Sequence, residues 1–559
     1  MSKNGHIGFC GLAVLAVAAL AFWTEPSLAR PAAELHRFPQ KPTAIALPPM
    51  GWSSWNSFSN TVNSDVVIQQ TEALVSSGMK GAGYTYINID EGWWMGKRDA
   101  KGNIVVEPKQ WPALQPGEHD GDMANIARYI HDAGLKAGIY TDAGEAGCSF
   151  YGPDLGPPVP HTGSEHHYDQ DFLQFAEWGF DYVKVDWCGG NNEKLDAAKQ
   201  YAEIAQAIKR AEKITGHKLY YSICNWGSAD PWMWAPGIGG VHADIWRTSG
   251  DIVAPIVANT PNANRRASFT GVLSNFDQGI HNQAQHTGFY NDLDMMMVGM
   301  SGLTEPQNRV HMSLWAISGA PLIVGADLTK LDNAAKAILT NERVIAVDQD
   351  PLGIQAIKVA EPQPGLQIWV KPLSVAGDRA VLLLNRTSTE ATIEVSWKQA
   401  GLGIPSSASV QDLWTGKELK SSSSGFAASV PAGDAAFVIV HGTEGPLTTN
   451  LTSALTMQEV PVDDQHAVSF SVAPIHGVAV VRVSYKNRND KPVIARIGVD
   501  GKAPTNVLFP TGGSGDASGI VVVEVQSDQE GPSSTLSFSE ADANGLNLES
   551  VSLQFFSDQ

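Results

Sequence analysis

The chain has 559 residues, of which 43% are hydrophobic and 17% charged. This length suggests roughly two to four domains, and the hydrophobic share is typical of a globular protein with a large core. The formal net charge of −20 at pH 7 argues against nucleic acid and anionic membrane surfaces as partners. It is compatible with a neutral substrate, and 16 tryptophans offer flat apolar faces for sugar rings or other stacked ligands.

The N-terminus has the features of an export signal. Lys3 and His6 precede an apolar run from residue 7 to 23, and small residues at 27–29 offer a cleavage site. Residues 1–29 are therefore predicted to be a signal peptide cleaved near Ala29, which makes the mature protein secreted or periplasmic and free of the membrane. A membrane anchor is the alternative, but the run is short for a span and is followed by no basic flank.

Short strands alternate with amphipathic helices between residues 44 and 327. The strands are predicted at 44–55, 84–90, 135–142, 181–186, 219–224, 244–251, 292–297 and 321–327, with helices at 66–79, 123–133, 169–178 and 195–215 among them. This alternation predicts a parallel sheet, and eight strands are the number that closes a (β/α)8 TIM barrel. An open doubly wound sheet is the competing fold, but the sequence lacks the glycine-rich phosphate loop that accompanies it.

The sequence pattern changes after residues 350–351. Short alternating strands separated by turns rich in Gly, Ser and Asn predict an antiparallel β domain, and a linker at 442–446 leads to another strand-rich segment. The predicted fold class is therefore α/β, with a TIM barrel followed by an antiparallel β domain and a C-terminal β-sandwich-like domain. The predicted boundaries are 30–347, 348–443 and 448–559, and the role of the last domain is left open.

Carboxylates recur where the predicted barrel strands end. In a parallel barrel these ends lie on one face, so the charges must be hydrogen-bonded, paired or kept for a ligand. Capping of the following helices would explain one or two of these residues but not the set. The residues are Asp90, Glu91, Asp142, Asp186, Asp251, Asp292 and Asp294.

Two cations are placed to balance these charges. Lys184 is two residues before Asp186 and points to the same side of its strand, and Arg247 is four residues before Asp251. A cation lowers the pKa of a neighbouring carboxylate, and an ionised Asp beside a protonated one is the arrangement that glycoside hydrolysis needs. A metal site is the rival interpretation, but no His-x-x-x-His or calcium-loop spacing supports it, so neither a metal nor another cofactor is predicted.

Tryptophans and cysteines lie near the same strand ends. Tryptophans directly beyond strands one, two and five are suited to stacking on the apolar face of a sugar. Removal of the signal peptide leaves three cysteines, which permits one disulfide and one remaining thiol in an oxidising compartment. These residues are Trp52, Trp55, Trp93, Trp94, Trp226, Cys148, Cys188 and Cys224.

Several motifs follow one another in a fixed order. They are PMGWSSWN at 49–56, YINIDEGW at 86–93, LKAGIYTDAG at 135–144, KVDWC at 184–188, WRTSGDI at 246–252, NDLDM at 291–295 and DQDPLG at 348–353. Together they resemble glycoside hydrolase family 27, the α-galactosidase family, over residues 48–440. The resemblance implies a (β/α)8 barrel with a following antiparallel β domain, and a retaining mechanism that uses two carboxylates.

The resemblance also implies roles for individual residues. Asp186 would be the nucleophile, and Asp251 would be the general acid and base. Lys184 and Arg247 would contact sugar hydroxyls and set the charge balance, and the substrate would be an oligosaccharide or a polysaccharide. The other implied substrate contacts are Trp55, Asp90, Glu91, Tyr140, Cys224, Trp226, Asp294 and Met295.

A disulfide is implied by the same resemblance. Cys148 and Cys188 match the family's bridge at the barrel mouth, and this bridge would fix the loop directly after the nucleophile. Cys224 would then remain a thiol packed at the site. The oligomeric state is not predicted.

Glu91 departs from the family pattern, which usually has two aspartates where this chain has Asp90 and Glu91. The added methylene would push the carboxylate toward the space of the C6 hydroxymethyl group, which β-L-arabinopyranose lacks, and family members with this Glu are associated with β-L-arabinopyranosidase activity. One methylene changes selectivity by only about 10- to 100-fold. Terminal α-D-galactosides are therefore the expected substrate, with β-L-arabinopyranosides as the alternative and a non-catalytic sugar-binding protein as the remote one.

Overall fold

The computed structural model describes residues 47–559 with internal gaps, so the predicted signal peptide lies outside the described residues. The gaps are 149–160, 237–240, 242, 253–265, 286–287, 404–407, 446–454, 457–465, 473, 490–492, 503, 510–517, 528–530, 541–545 and 556–559. Within the part of the chain that is described, we find no helix with the length and apolar character that a membrane crossing requires.

Eight short parallel strands form a closed barrel, which confirms the predicted fold class. They are β1 (Met50–Ser53), β2 (Tyr86–Asn88), β3 (Lys136–Asp142), β4 (Tyr182–Asp186), β5 (Tyr220–Cys224), β6 (Ile245–Arg247), β7 (Tyr290–Asp292) and β8 (Leu322–Val324). Neighbouring strands pair in chain order from β1 to β7, and β8 returns to pair with β1. The ring closes directly after β7, where Met296 forms a parallel bridge with Val324.

Helices pack around this barrel, most of them with one buried face, whereas α8 is buried on all sides along residues 310–318. They are α1 (Trp55–Phe58), α2 (Ser64–Ser76), α3 (Ala124–Asp132), α4 (Tyr168–Glu177), α5 (Cys188–Asn192), α6 (Ala197–Thr215), α7 (Phe269–Gln278), α8 (Glu305–Ser318), α9 (Asn333–Leu339) and α10 (Glu342–Asp348). In α6 the Asp196 side chain accepts the first-turn N–H of Lys199, and buried residues such as Ile204 and Ile208 recur at helical spacing. Gly216 ends this helix because its φ of 73° suits a residue without a Cβ.

Predicted strands one, six and seven extend too far. Strand six, predicted at 244–251, covers only Ile245–Arg247, and the polar residues 248–251 lie beyond it. The prediction of strand seven at 292–297 is wrong because β7 ends at Asp292, and Asp294 has a φ of 88° that interrupts extended structure. Strand one is shorter than predicted because Trp55 begins α1. In strands one and seven, apolar residues continue past the strand into the barrel mouth, so hydrophobicity alone does not mark the strand end.

The rest of the chain is antiparallel, as predicted. The first eight strands are β9 (Ile357–Gln363), β10 (Leu366–Pro372), β11 (Asp378–Asn385), β12 (Ala391–Ser396), β13 (Ser409–Asp412), β14 (Glu418–Leu419), β15 (Gly425–Val430) and β16 (Ala435–His441). The C-terminal strands are β17 (Leu455–Thr456), β18 (His466–Val472), β19 (Gly477–Asn487), β20 (Val493–Val499), β21 (Thr505–Phe509), β22 (Ser518–Ser527), β23 (Ser534–Glu540) and β24 (Leu546–Phe555). The C-terminal strands form two four-stranded sheets, β17-β24-β19-β22 and β18-β23-β20-β21.

The C-terminal sheets pack against the preceding antiparallel sheets. Val480 and Val522 belong to the buried cluster of that region. Glu444, in the predicted linker, accepts a hydrogen bond of 2.6 Å from Gln554 of β24 and forms an ion pair with Arg379 of β11. A single linker carboxylate therefore joins the two antiparallel regions.

Candidate active site

The predicted site residues lie in the last residues of seven consecutive barrel strands or directly after them. Because the strands are parallel, their ends lie on the same face of the barrel. Most of these side chains are buried, whereas Lys184 and Trp226 are partly exposed and Asp251 is exposed. In chain order the residues are Trp55, Asp90, Glu91, Tyr140, Lys184, Asp186, Cys224, Trp226, Arg247, Asp251, Asp294 and Met295.

Lys184 links the ends of β2 and β4. Its Nζ lies 3.0 Å from Oδ2 and 3.2 Å from Oδ1 of Asp90, and 3.8 Å from Oδ2 of Asp186. Asp90 also accepts a hydrogen bond of 3.1 Å from the Ser53 hydroxyl. The same ammonium lies 5.3 Å from the ring centroid of Tyr140. One cation therefore serves two carboxylates and an aromatic ring at this side of the mouth.

Burial governs the electrostatics of Asp186. Burial raises the pKa of this carboxyl, Lys184 lowers it, and the charges of Asp90 and Asp251 raise it again. The N–H of Trp187 donates to Oδ1 of Asp186 at 3.0 Å and favours the ionised form. Lys184 thus acts in the direction that the sequence predicts, but burial is the larger effect and leaves the pKa of Asp186 above its ordinary value.

Arg247 organises the opposite side of the mouth. Its Nη2 lies 3.1 Å from Oδ1 of Asp251, and its Nη1 lies 2.9 Å from Oδ1 of Asp294. Nη1 also donates to Sγ of Cys224 at 3.7 Å. Oδ2 of Asp294 accepts the N–H of Ile252 at 2.8 Å, which ties the segment after β6 to the segment after β7. Arg247 and Asp251 therefore meet as their spacing predicts.

Asp186 and Asp251 have different surroundings. The side chain of Asp186 is 7% exposed, whereas that of Asp251 is 40% exposed. The charge of Asp251 raises the pKa of Asp186 and that of Asp294, and burial is the main cause that brings the pKa of Asp294 to about 7. A buried carboxylate beside a lysine and an accessible one beside an arginine suit two different tasks in one reaction.

The structure divides the predicted tryptophans into two groups. Trp55 packs with Met295 and Ile323 in a small apolar cluster, and Trp226 is partly exposed after β5 with a φ of 53°. The stacking prediction is wrong for the other three, which lie in the barrel core: Trp52, Trp93 and Trp94. Trp93 shows the reason, since its Nε1 donates to the buried carbonyl of Tyr140 at 2.9 Å.

Cys148 and Cys188 form a disulfide, and Cys224 is a buried thiol. The donor atoms of Asp142, Cys148, Asp186 and Cys188 lie within 4.8 Å of one another. Because the two sulfur atoms are bonded to each other, this cluster is a crosslink beside Asp186 rather than a set of metal ligands. It fastens the loop after β3 to the first turn after β4.

Sequence reasoning missed two contacts of the site. The hydroxyl of Tyr201 in α6 donates to the main-chain carbonyl of Asp186 at 3.2 Å. A Cβ atom built on Gly147 would lie 2.2 Å from Oε1 of Glu91, so the Glu91 carboxylate reaches the loop beside the disulfide. A tyrosine on the buried face of a helix and a loop glycine carry no functional signal by themselves, and only their neighbours in space reveal them.

Comparison with known proteins agrees with this arrangement. Residues 47–350 match the family model described as alpha galactosidase A, and residues 363–440 match the alpha galactosidase C-terminal beta sandwich domain. Alpha-galactosidase A of Cellvibrio japonicus (strain Ueda107) is 42% identical over 63% of this chain and 78% of its own length. A probable alpha-galactosidase of Dictyostelium discoideum is 38% identical over 66% of this chain and 85% of its own length.

Solved structures give the same result. Alpha-galactosidase I of Mortierella vinacea superposes with a TM-score of 0.61 and 29% identity over 71% of this chain and 98% of its own. A β-L-arabinopyranosidase of Geobacillus stearothermophilus, at 21% identity over 72% of this chain and 96% of its own, shares the fold with a TM-score of 0.59. The chain therefore belongs to glycoside hydrolase family 27, the α-galactosidase family.

Proposed function

We propose that this protein is a retaining exo-glycosidase that hydrolyses terminal α-D-galactosyl residues, with Asp186 and Asp251 as its two catalytic carboxylates. The observation that carries the proposal is the contrast between them: Asp186 is buried near Lys184, and Asp251 is exposed and paired with Arg247. Membership of the α-galactosidase family supports the galactose configuration of the substrate.

The two carboxylates divide the reaction into two displacements. In the first, Asp186 attacks the anomeric carbon while Asp251 gives its proton to the leaving oxygen, and a galactosyl ester of Asp186 forms. In the second, Asp251 takes a proton from water, the water oxygen attacks the anomeric carbon, and the Asp186 carboxylate is released. Two inversions at the same carbon retain its configuration.

The neighbouring residues support this chemistry. Asp186 must be ionised to attack, and Lys184 is the cation that opposes the effect of burial on its pKa. The Tyr140 ring lies beside Lys184, and its hydroxyl is buried with no hydrogen-bond partner among the residues that the structure describes. The cluster of Trp55, Met295 and Ile323 offers an apolar surface to the pyranose ring.

The substrate is proposed to be the non-reducing end of an α-galactosyl oligosaccharide. The α-galactosidase of Saccharomyces cerevisiae, which is 25% identical to this chain, has been solved with raffinose.

The β-L-arabinopyranosidase alternative rests on Glu91, which stands where the family pattern usually has Asp. The position of the Glu91 carboxylate against Gly147 weakens the steric argument for it, because the longer side chain has space at the loop. Export through the signal peptide at 1–29 remains part of the proposal.

The proposal is tested on 4-nitrophenyl α-D-galactoside with the wild type, Asp186→Asn and the control Asp181→Asn. NMR should show the α-anomer of galactose as the first product of the wild type. Asp186→Asn should be inactive with an unchanged unfolding temperature, whereas Asp181, at the opposite end of the same strand, should tolerate the change. Activity of Asp186→Asn above a few per cent of wild type, or a β-anomer as first product, would refute it.

A further inference from the structure

The ends of β3 and β4 are joined by a carboxylate that the two displacements do not use. Asp142 and Asp186 are register partners on these adjacent strands. Oδ1 of Asp142 accepts the N–H of Gly144 at 2.7 Å and that of Gly189 at 3.1 Å, and Oδ2 accepts the N–H of Cys188 at 2.7 Å. Asp142 therefore holds the main chain two and three residues after Asp186.

The two loops approach so closely that side chains would separate them. A Cβ atom built on Gly189 would lie 2.8 Å from Oδ1 of Asp142 and 2.7 Å from the carbonyl oxygen of Ala146. A Cβ atom on Gly144 would lie 2.3 Å from the carbonyl carbon of Gly189. Asp142 is fully buried at this contact. Glycines on both loops thus permit the carboxylate to reach the amides.

We propose that Asp142 is a positioning residue for Asp186, which sets the geometry of nucleophilic attack by fixing the turn after β4. The inference rests on the proposed function, since it assumes that Asp186 is the nucleophile. The N–H of Trp187, between Asp186 and the amides that Asp142 holds, donates to Oδ1 of Asp186 at 3.0 Å. The orientation of the Asp186 carboxylate therefore depends on a turn whose next two amides are fixed by Asp142.

Geometry of this kind has a large effect on rate. Attack needs the reacting atoms about 3–3.5 Å apart with aligned orbitals, and a displacement of about 1 Å costs roughly 100-fold. The disulfide of Cys188 restrains the same turn from its other side. It crosslinks the loops, whereas the Asp142 carboxylate holds the amides of Cys188 and Gly189, so the two restraints are different.

Asp142 and Asp186 are also close as titratable groups. The described side-chain contacts of Asp142 are three N–H donors, which favour its ionised form, but burial and the charge of Asp186 raise the pKa of Asp142 well above its ordinary value. A carboxylate oxygen of each Asp lies within 4.8 Å of the other. The role that we propose for Asp142 therefore rests on its hydrogen bonds to the turn and not on its charge. The charged and titratable groups that face Asp186 are Lys184, Asp90, Asp142, Tyr140, Tyr201, Cys224 and Asp251.

The test compares Asp142→Asn with Asp181→Asn. Asp181 precedes β4 and accepts the N–H of Ala137 at 2.8 Å, so it joins the same two strands at their opposite end. Asp142→Asn should lower kcat about 100-fold with KM within about threefold. Asp181→Asn should change neither quantity. A kcat of Asp142→Asn within about threefold of wild type, or a rise in KM as large as the fall in kcat, overturns the proposal.

A second variant covers the case in which Asp142→Asn does not fold. Gly189→Ala separates the carboxylate from the amide, so it should lower kcat and leave KM within about threefold of wild type. An unchanged kcat in Gly189→Ala also overturns the proposal. If Asp186→Asn remains active, the proposed function itself fails. If Asp186→Asn is inactive while Asp142→Asn behaves as the wild type, only the positioning role fails.

Discussion

Arg247 and Asp294 form a buried ion pair in which Nη1 lies 2.9 Å from Oδ1 and the two side chains are 3% and 1% exposed. The same guanidinium binds Asp251, which is far more exposed. One guanidinium therefore stabilises the buried part of the barrel mouth and also binds Asp251, which we propose as the general acid and base.

Asp294→Ala should destabilise the protein by about 3–5 kcal/mol, because it leaves the buried guanidinium without its most buried partner. Urea unfolding of the purified variant measures this loss. The control is Glu305→Ala, which removes an exposed ion pair of 2.6 Å to Arg309 within one helix and should cost less than about 1 kcal/mol. Equal losses in the two variants would contradict the assigned role of burial.

Lys184→Met should move the acidic limb of the kcat/KM profile to higher pH by about one unit or more, together with a lower kcat. The sign follows because the charge of Lys184 lowers the pKa of Asp186, so its removal raises that pKa and ionisation requires a higher pH. Initial rates between pH 3 and 8 provide the measurement. Lys136→Met, at the opposite end of the barrel, is the matched control and should leave the limb in place.

Gly147→Ala should reduce turnover of the α-galactoside at least about 10-fold more than turnover of the β-L-arabinopyranoside. The new Cβ would lie 2.2 Å from Oε1 of Glu91 and would drive this carboxylate off the loop toward the sugar. The two 4-nitrophenyl glycosides are compared on each variant, with Gly403→Ala in the antiparallel region as the control. An unchanged ratio would show that the Glu91 position does not set selectivity.

Asp244→Asn should flatten the dependence of stability on pH. Burial raises the pKa of Asp244 to about 6 from its ordinary value of 3.8. A group with a raised pKa contributes stability that is complete below its unfolded pKa and is lost as pH rises through the folded one. The wild type should thus lose on the order of 3 kcal/mol from this group between pH 4 and 6, and the variant should lose that much less. If the unfolding free energies of the wild type and Asp244→Asn change by the same amount between pH 4 and 6, the prediction is contradicted.

The local pattern of the sequence was enough to predict the barrel and the residue types at its carboxyl end. The alternation of strands and helices predicts a (β/α)8 order. The carboxyl ends of parallel strands lie on one face of the barrel for every loop conformation. The two-residue spacing of Lys184 and Asp186 sets a common direction within one strand. Such features depend on neighbours in the chain, so they are readable without the fold.

Tertiary structure alone decided which groups are partners and which surfaces are open. Lys184 lies closer to Asp90, which is 94 residues away, than to Asp186 on its own strand. Trp52 and Trp93 occur beside functional motifs but are buried in the core, and the fit of Glu91 against Gly147 depends on a loop from the next strand. Burial and long-range contact follow from how the ring closes and how its loops cross, which the spacing of residues along one strand does not encode.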